Sequence, residues 1–327
     1  MARIARMQGR TLAEPDTEAH ASRKQGRFGP SGRTFMDSAV QPAPKGVWRW
    51  MPLRFLVLAI IMVVVVGAGE TGLILGRDQI PEQFREPAIV VATLFACIVW
   101  IYVYRLFVRW LEKRDAAEMS YVRGMSGIIG GAIIGFLLFC AIYGVFWALG
   151  IVSFGGLDTT DGLLAALSIS LMSGVGEELI FRGVVYRLVE ESFGTLIALI
   201  ISGAIFGLVH LGNANATLFS GAAIALEAGV LLGAAYSMTR SLWLPIGLHI
   251  AWNFTEGGIF GAAISGGNVR GLIKAPLHGP DLLTGGGFGP EASIITISVC
   301  LLLAVLMLIV AARRGEWVPL RFRLRAA

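Results

Sequence analysis

The chain has 327 residues, of which 55% are hydrophobic and only 15% charged, with a net charge of +5 and a mean hydropathy of +0.71. An ordinary soluble domain carries roughly 25% charged residues, so water is not the solvent for most of this surface. The basic excess sits at the chain ends and between apolar runs, which is the pattern of a membrane protein and excludes nucleic acid as a partner.

In chain order, residues 1–46 are polar, with scattered Arg and Lys and no apolar core of a signal peptide. They read as a disordered cytoplasmic tail. Eight apolar runs follow, each a candidate for crossing the bilayer: Phe55–Leu75, Ala88–Tyr104, Ser126–Leu149, Gly162–Leu188, Gly194–His210, Thr217–Met238, Leu242–Phe254 and Ala292–Ala312. The seventh is short and is expected to pack inside the bundle. Trp48, Trp50, Trp110, Trp243 and Trp317 stand near run ends, as interfacial aromatics do. Cys97, Cys140 and Cys300 fall inside the runs without metal-ligand spacing and read as apolar fillers. The mixed charges of residues 109–125 suggest a short surface helix, and the Gly- and Pro-rich residues 255–291 a long irregular loop.

The expected fold class is therefore an all-α polytopic membrane bundle of about eight transmembrane helices with an intramembrane cavity. Its expected parts are helices 1–3 over 47–159, a core over 160–256, a Gly-rich loop over 257–291, and a last helix with a basic tail over 292–327. With the N-terminus placed in the cytoplasm, ten Lys and Arg precede the first run. More follow at Arg105, Arg109, Lys113, Arg114, Arg123, Arg187, Arg240 and the C-terminus, against Arg77, Arg85, Arg270 and Lys274 on the other side. That asymmetry places both termini in the cytoplasm. Short loops and an Ala-, Gly- and Arg-rich composition point to a bacterial plasma membrane.

An ionisable side chain at the bilayer centre costs roughly 2.5–3.5 kcal/mol, so each one inside a run faces a cavity or a partner. Run four contains Glu177 and Glu178. Neighbouring residues differ by about 100° around a helix, so the two carboxylates face different ways. Glu178 and Arg182 are four apart and can pair, which leaves Glu177 free to act as a base toward water. A solvated helix end at the membrane interface is the competing reading. Run five aligns Phe206 with His210, and run seven aligns His249 with Asn253. Two histidines and an unpaired glutamate on three helices point to one shared site. Glu227, in run six, receives no role.

These three motifs, Glu177-Glu178-Leu179-Ile180-Phe181-Arg182, Phe206 to His210 and His249 to Asn253, with Ser241–Ile246 ahead of the last, resemble the CPBP family of intramembrane proteases, to which the type II CAAX prenyl endopeptidase belongs. The resemblance covers about residues 160–256. It implies a helical bundle with a conical cavity and a peptide bond attacked by water. Glu177 would be the general base and His210 a water-holding partner. His249 and Asn253 would stabilise the oxyanion, and Glu178, Arg182 and Phe206 would support them. The cofactor is either none or zinc, and if zinc, the ligands would be Glu177, His210 and His249. The expected partners are the lipid bilayer and a peptide or protein substrate with a membrane-proximal cleavage site, which family analogy brings in from the cytoplasm. A non-catalytic scaffold or immunity-type protein and a proton-coupled transporter are the alternatives.

Overall fold

The computed structural model describes residues 46–158, 160 and 162–323; the expected tail, apart from Gly46, lies outside them. Among the described residues the architecture is helical, with no strand beyond isolated bridges. Helix α1 spans Met51–Gly76, α2 Glu82–Phe107 and α3 Gly124–Ala148. α4 (Leu163–Ile180) runs through a widened π turn, Phe181–Tyr186, into α5 (Arg187–Phe193). After a break at Gly194 come α6 (Thr195–Val209) and α7 (Leu218–Ile224), which continues through a second π turn, Ala225–Gly229, into α8 (Val230–Thr239). α9 (Trp243–Asn253) ends in a third π turn, Phe254–Ile259, followed by the short α10 (Asp281–Thr284) and by α11 (Ile294–Arg313).

Seven of these helical stretches are long and apolar enough to cross a membrane. The stretch through α9, expected as the seventh of eight crossings and as packed inside the bundle, is shorter than these seven and lies inside the bundle. Only 28% of the most apolar window of α1 is buried by protein, against 61% for the α7–α8 stretch. The outer helices therefore offer Leu56, Ile60, Val63 and Val91 to lipid, while α7–α8 and α9 sit centrally.

Small residues set how closely α9 is held. A Cβ on Gly131 would stand 2.2 Å from the Leu244 carbonyl oxygen, and one on Gly135 2.4 Å from that of Leu248. The four-residue glycine spacing of α3 thus lets its backbone touch that of α9. On the other flank, a Cβ on Gly174 of α4 would meet Ile250 at 2.4 Å. Bulk at Gly174 would push apart the two helices that carry Glu178 and His249.

Three expectations need correction. Residues 109–125 form tight π and 3-10 turns, and Glu112 and Glu118 are 1% exposed instead of lying on a surface helix. The cause is the arginines that converge on them: Arg187 and Arg114 on Glu112 at 2.9 and 2.6 Å, and Arg114 on Glu118 at 2.9 Å. Trp243 is buried against Gly127, its indole N–H donating to the Ser120 carbonyl at 3.0 Å, so it is a packing residue and not an interfacial one. The first turn of the expected 255–291 loop is helical, because α9 runs on to Ile259.

The bundle has two distinct ends. One gathers the start of α1, residues 108–123, the α5–α6 break, the α8–α9 break and the stretch after α11, tied by Arg54–Glu191, Arg187–Glu112 and Arg240–Glu190 and by the Thr195 amide on the Val318 carbonyl. The other gathers residues 149–162, 210–217 and 260–293. There Ser153, Gly155 and Asp158 donate backbone bonds to Pro276, Lys274 and Leu272, and Gly266 to Phe288.

Candidate active site

The site lies where α4, α6 and α9 meet. Glu178 is fully buried, and its Oε1 accepts from Arg182 Nη1 at 2.8 Å and from His249 Nδ1 at 3.0 Å. A carboxylate can only accept, so the His249 proton sits on Nδ1 and Nε2 is turned away from Glu178. Arg182 Nη2 donates to the carbonyls of Ala228 and Gly229 at 2.9 and 3.2 Å. Both belong to the π turn between α7 and α8, where the widened spiral leaves carbonyls for a side-chain donor. The guanidinium also lies 4.6 Å from the centre of the Phe206 ring. One buried arginine therefore joins α4, α6 and the α7–α8 helix around Glu178.

Glu177 faces elsewhere, as the 100° offset requires. Its side chain is 27% exposed; Oε2 is buried without a hydrogen bond, and it lies 4.0 Å from His249 Nε2. His210 is the first residue beyond α6, and its Nδ1 donates to the Phe206 carbonyl at 2.7 Å. That bond leaves Nε2 with a free lone pair. Asn253 Nδ2 donates to Ser173 Oγ at 2.7 Å, while its Oδ1 is buried without a partner. Ser173 in turn donates to the Ile169 carbonyl at 2.9 Å, so its hydroxyl oxygen is free to accept from the amide.

His210, His249 and Asn253 line a common cavity of about 20 Å³, room for about one water molecule. Phe206 and Trp252 form apolar walls, and Glu227 and Glu291 add carboxyls. Glu177 is not among its lining residues and meets the group only through His249. A catalytic hydrogen bond is often long before substrate binds and tightens in the complex, and a 4.0 Å separation needs a shift of only about 1 Å.

Residues 159–255 match the family model described as Type II CAAX prenyl endopeptidase Rce1-like. They form an Rce1-like domain. No curated protein and no solved structure matches the chain. The matched description is that of an endopeptidase, a class that acts on peptide or protein substrates.

Within the Rce1-like domain the structure brings together Glu178, Arg182, Phe206, His249 and, at the edge of contact, Glu177, with His210 and Asn253 across the small cavity. Sequence reasoning passed over Ser173. Its signal was present, since Ser173 is one turn before Glu177 on α4 and shares its face. Glu291 was also passed over, and Glu227 was noted without a role. Glu227 is fully buried with neither oxygen hydrogen-bonded, whereas Glu291 accepts from Trp252 Nε1 at 3.2 Å and from the Ser265 amide and hydroxyl at 2.7 Å. Glu291 lies beyond the matched residues, and its partners are set by the fold.

The zinc expectation requires Glu177, His210 and His249 to converge on one point. Among the described residues no three His, Cys, Asp or Glu side chains are placed to hold a metal ion. The Nδ1 bonds of His249 to Glu178 and of His210 to a backbone carbonyl leave both Nε2 atoms open, so it is the placement of the three side chains, and not their bonding, that fails the test. As arranged among the described residues, the donor set does not fit zinc.

Proposed function

We propose that the chain is an intramembrane endopeptidase that hydrolyses peptide bonds of membrane-associated proteins or peptides, using a water activated by Glu177. The observation that carries this reading is the division of labour between adjacent carboxylates. Glu178 is fully buried with its Oε1 bonded to both Arg182 and His249, while Glu177 is 27% exposed and its Oε2, without a hydrogen bond, lies 4.0 Å from the His249 ring.

Glu177 takes a proton from water, and the oxygen adds to the scissile carbonyl carbon. The carbonyl π electrons move onto oxygen, giving a tetrahedral oxyanion. His249, held by Glu178 through Nδ1, donates to that charge from Nε2 as the imidazolium, beside the second N–H of Asn253. Donors of this kind are typically worth about 2.7–4 kcal/mol each. His210 accepts a hydrogen bond from the water through Nε2. The C–N bond then breaks as the Glu177 proton passes to the departing amine, leaving a carboxylic acid and an amine, which exchange a proton to become carboxylate and ammonium.

Full-length protein in liposomes, given a fluorogenic single-span peptide, tests this reading. Glu177→Ala and His249→Ala are each expected to lose cleavage by about a hundredfold or more. Cleavage persisting in both would overturn it.

A further inference from the structure

A second, larger cavity lies at the end of the bundle opposite the start of α1 and the stretch after α11. It has a volume of about 670 Å³ and opens between residues 260–290 and the outer end of α3, within the size range of ligand sites. Tyr143 and Phe260, stacked with ring centres 3.9 Å apart, line it on one side. Asp158, Arg270, Lys274 and Asp281 supply charges of both signs, and Lys274 pairs with Asp158 at 3.4 Å. An aromatic floor with mixed charges and much glycine backbone suits an extended peptide better than a lipid tail.

The cleft adjoins the active site through a wall one backbone thick. Ser265 and Glu291 line the small cavity beside His210 and Asn253, while Ala263, Gly289 and Pro290 line the cleft. That closeness needs glycine. A Cβ on Gly289 (φ +117°) would stand 2.3 Å from the Ala263 carbonyl oxygen. Ser265, at φ +45°, is held in the left-handed region by its two bonds to Glu291.

Charge supplies the sidedness. Arg105, Arg109, Lys113, Arg114, Arg187 and Arg240 lie in or beside the segments gathered at the end that holds the start of α1, against Arg77, Arg85, Arg270 and Lys274 at the cleft end. Positive residues mark the cytoplasmic face.

We propose that this cleft receives an extended peptide segment of the substrate on the extracytoplasmic face and delivers it past the Ser265–Glu291 wall to Glu177, His210 and Asn253. This rests on the protease reading, and it reverses the cytoplasmic entry that family analogy implies.

Two measurements test it on the full-length protein. For sidedness, Asn268→Cys and Asp115→Cys, both at exposed positions, are treated with a membrane-impermeant maleimide in intact bacterial cells. Asn268→Cys is expected to label directly and Asp115→Cys only after permeabilisation; the reverse pattern overturns the proposal. For the cleft, two fluorogenic single-span peptides share a membrane segment and scissile bond. One carries an extended acidic flank on the cleft side and the other is trimmed flush. Ala262→Trp, which fills the cleft, is expected to slow the flanked peptide by about tenfold or more while the trimmed one changes by less than about twofold. Arg270→Glu, at an exposed position, is the second variant should the first fail to fold. It is expected to raise KM severalfold for the acidic flank and to leave the trimmed peptide unchanged. Equal effects on both peptides, or no effect of Arg270→Glu on either, overturn the cleft. A Glu177→Gln enzyme that still cleaves sinks the protease reading instead, whereas a dead Glu177→Gln beside an insensitive cleft sinks this proposal alone.

Discussion

The two ends of the bundle use the same residue types for opposite ends. At the end that holds the start of α1, Glu112, Glu118 and Glu190 are buried, and each meets at least one guanidinium: Arg187, Arg114 and Arg240 respectively. Toward the other end, Glu178 is paired on one oxygen only. Every buried carboxylate oxygen without a hydrogen bond among the described residues belongs to Glu177, Glu178, Glu227 or Glu256. Native structures leave few buried polar atoms unsatisfied, and an exception calls for an explanation. One end spends its charges on holding helices together; the other leaves acceptors open around a cavity.

The largest effect is expected at Arg182, which pairs with Glu178 and ties down the α7–α8 π turn. Arg182→Met leaves Glu178 buried and uncompensated, a loss of about 3–5 kcal/mol, read as a large drop in unfolding temperature in detergent together with lost cleavage. A stable but inactive Arg182→Met would mean that Arg182 acts on chemistry alone.

Acid sharpens the comparison from the structural end. Burial pushes the Glu118 carboxyl up, but Arg114 beside it, bonded to it, and then Arg187 outweigh that and hold it down at about 2. A depressed carboxyl contributes stability above its unfolded value, and that stability drains as pH falls from about 4.5 toward about 2. Unfolding temperature is therefore expected to fall across that window. Glu118→Gln is expected to start lower at neutral pH and to fall less. An equal pH dependence in both would remove Glu118 from the account.

The smallest effect belongs to Ser173. Ser173→Ala deletes one hydrogen bond to Asn253, worth about 0.5–1.5 kcal/mol, so kcat is expected to fall severalfold with KM and unfolding temperature nearly unchanged. A shift confined to KM would place Ser173 in substrate binding.

Much of this was legible in the residues. The apolar runs gave the crossings to within a few positions because lipid demands unbroken hydrophobicity, and the Glu178–Arg182, Phe206–His210 and His249–Asn253 spacings gave helix faces directly. The burial of Glu112 and Glu118 was not legible, since a charged connection looks solvated until distant arginines close on it. Nor were the π turns after α4, α7 and α9, because one extra residue per turn leaves the hydrophobic pattern intact. Ser173 needed a partner 80 positions away, and the glycine-rich 285–289 run looked like a slack loop although it forms a thin wall.

The account stands most directly on the unequal roles of two adjacent glutamates. The deciding measurement is the cleavage rate per folded molecule of Glu177→Gln against Glu178→Gln in the same liposomes, with unfolding temperature recorded for each. The account predicts that Glu177→Gln keeps the unfolding temperature and loses cleavage by about 10²–10⁴-fold, while Glu178→Gln loses stability as well. A Glu177→Gln protein that is folded and still cleaves at near the parent rate would contradict it.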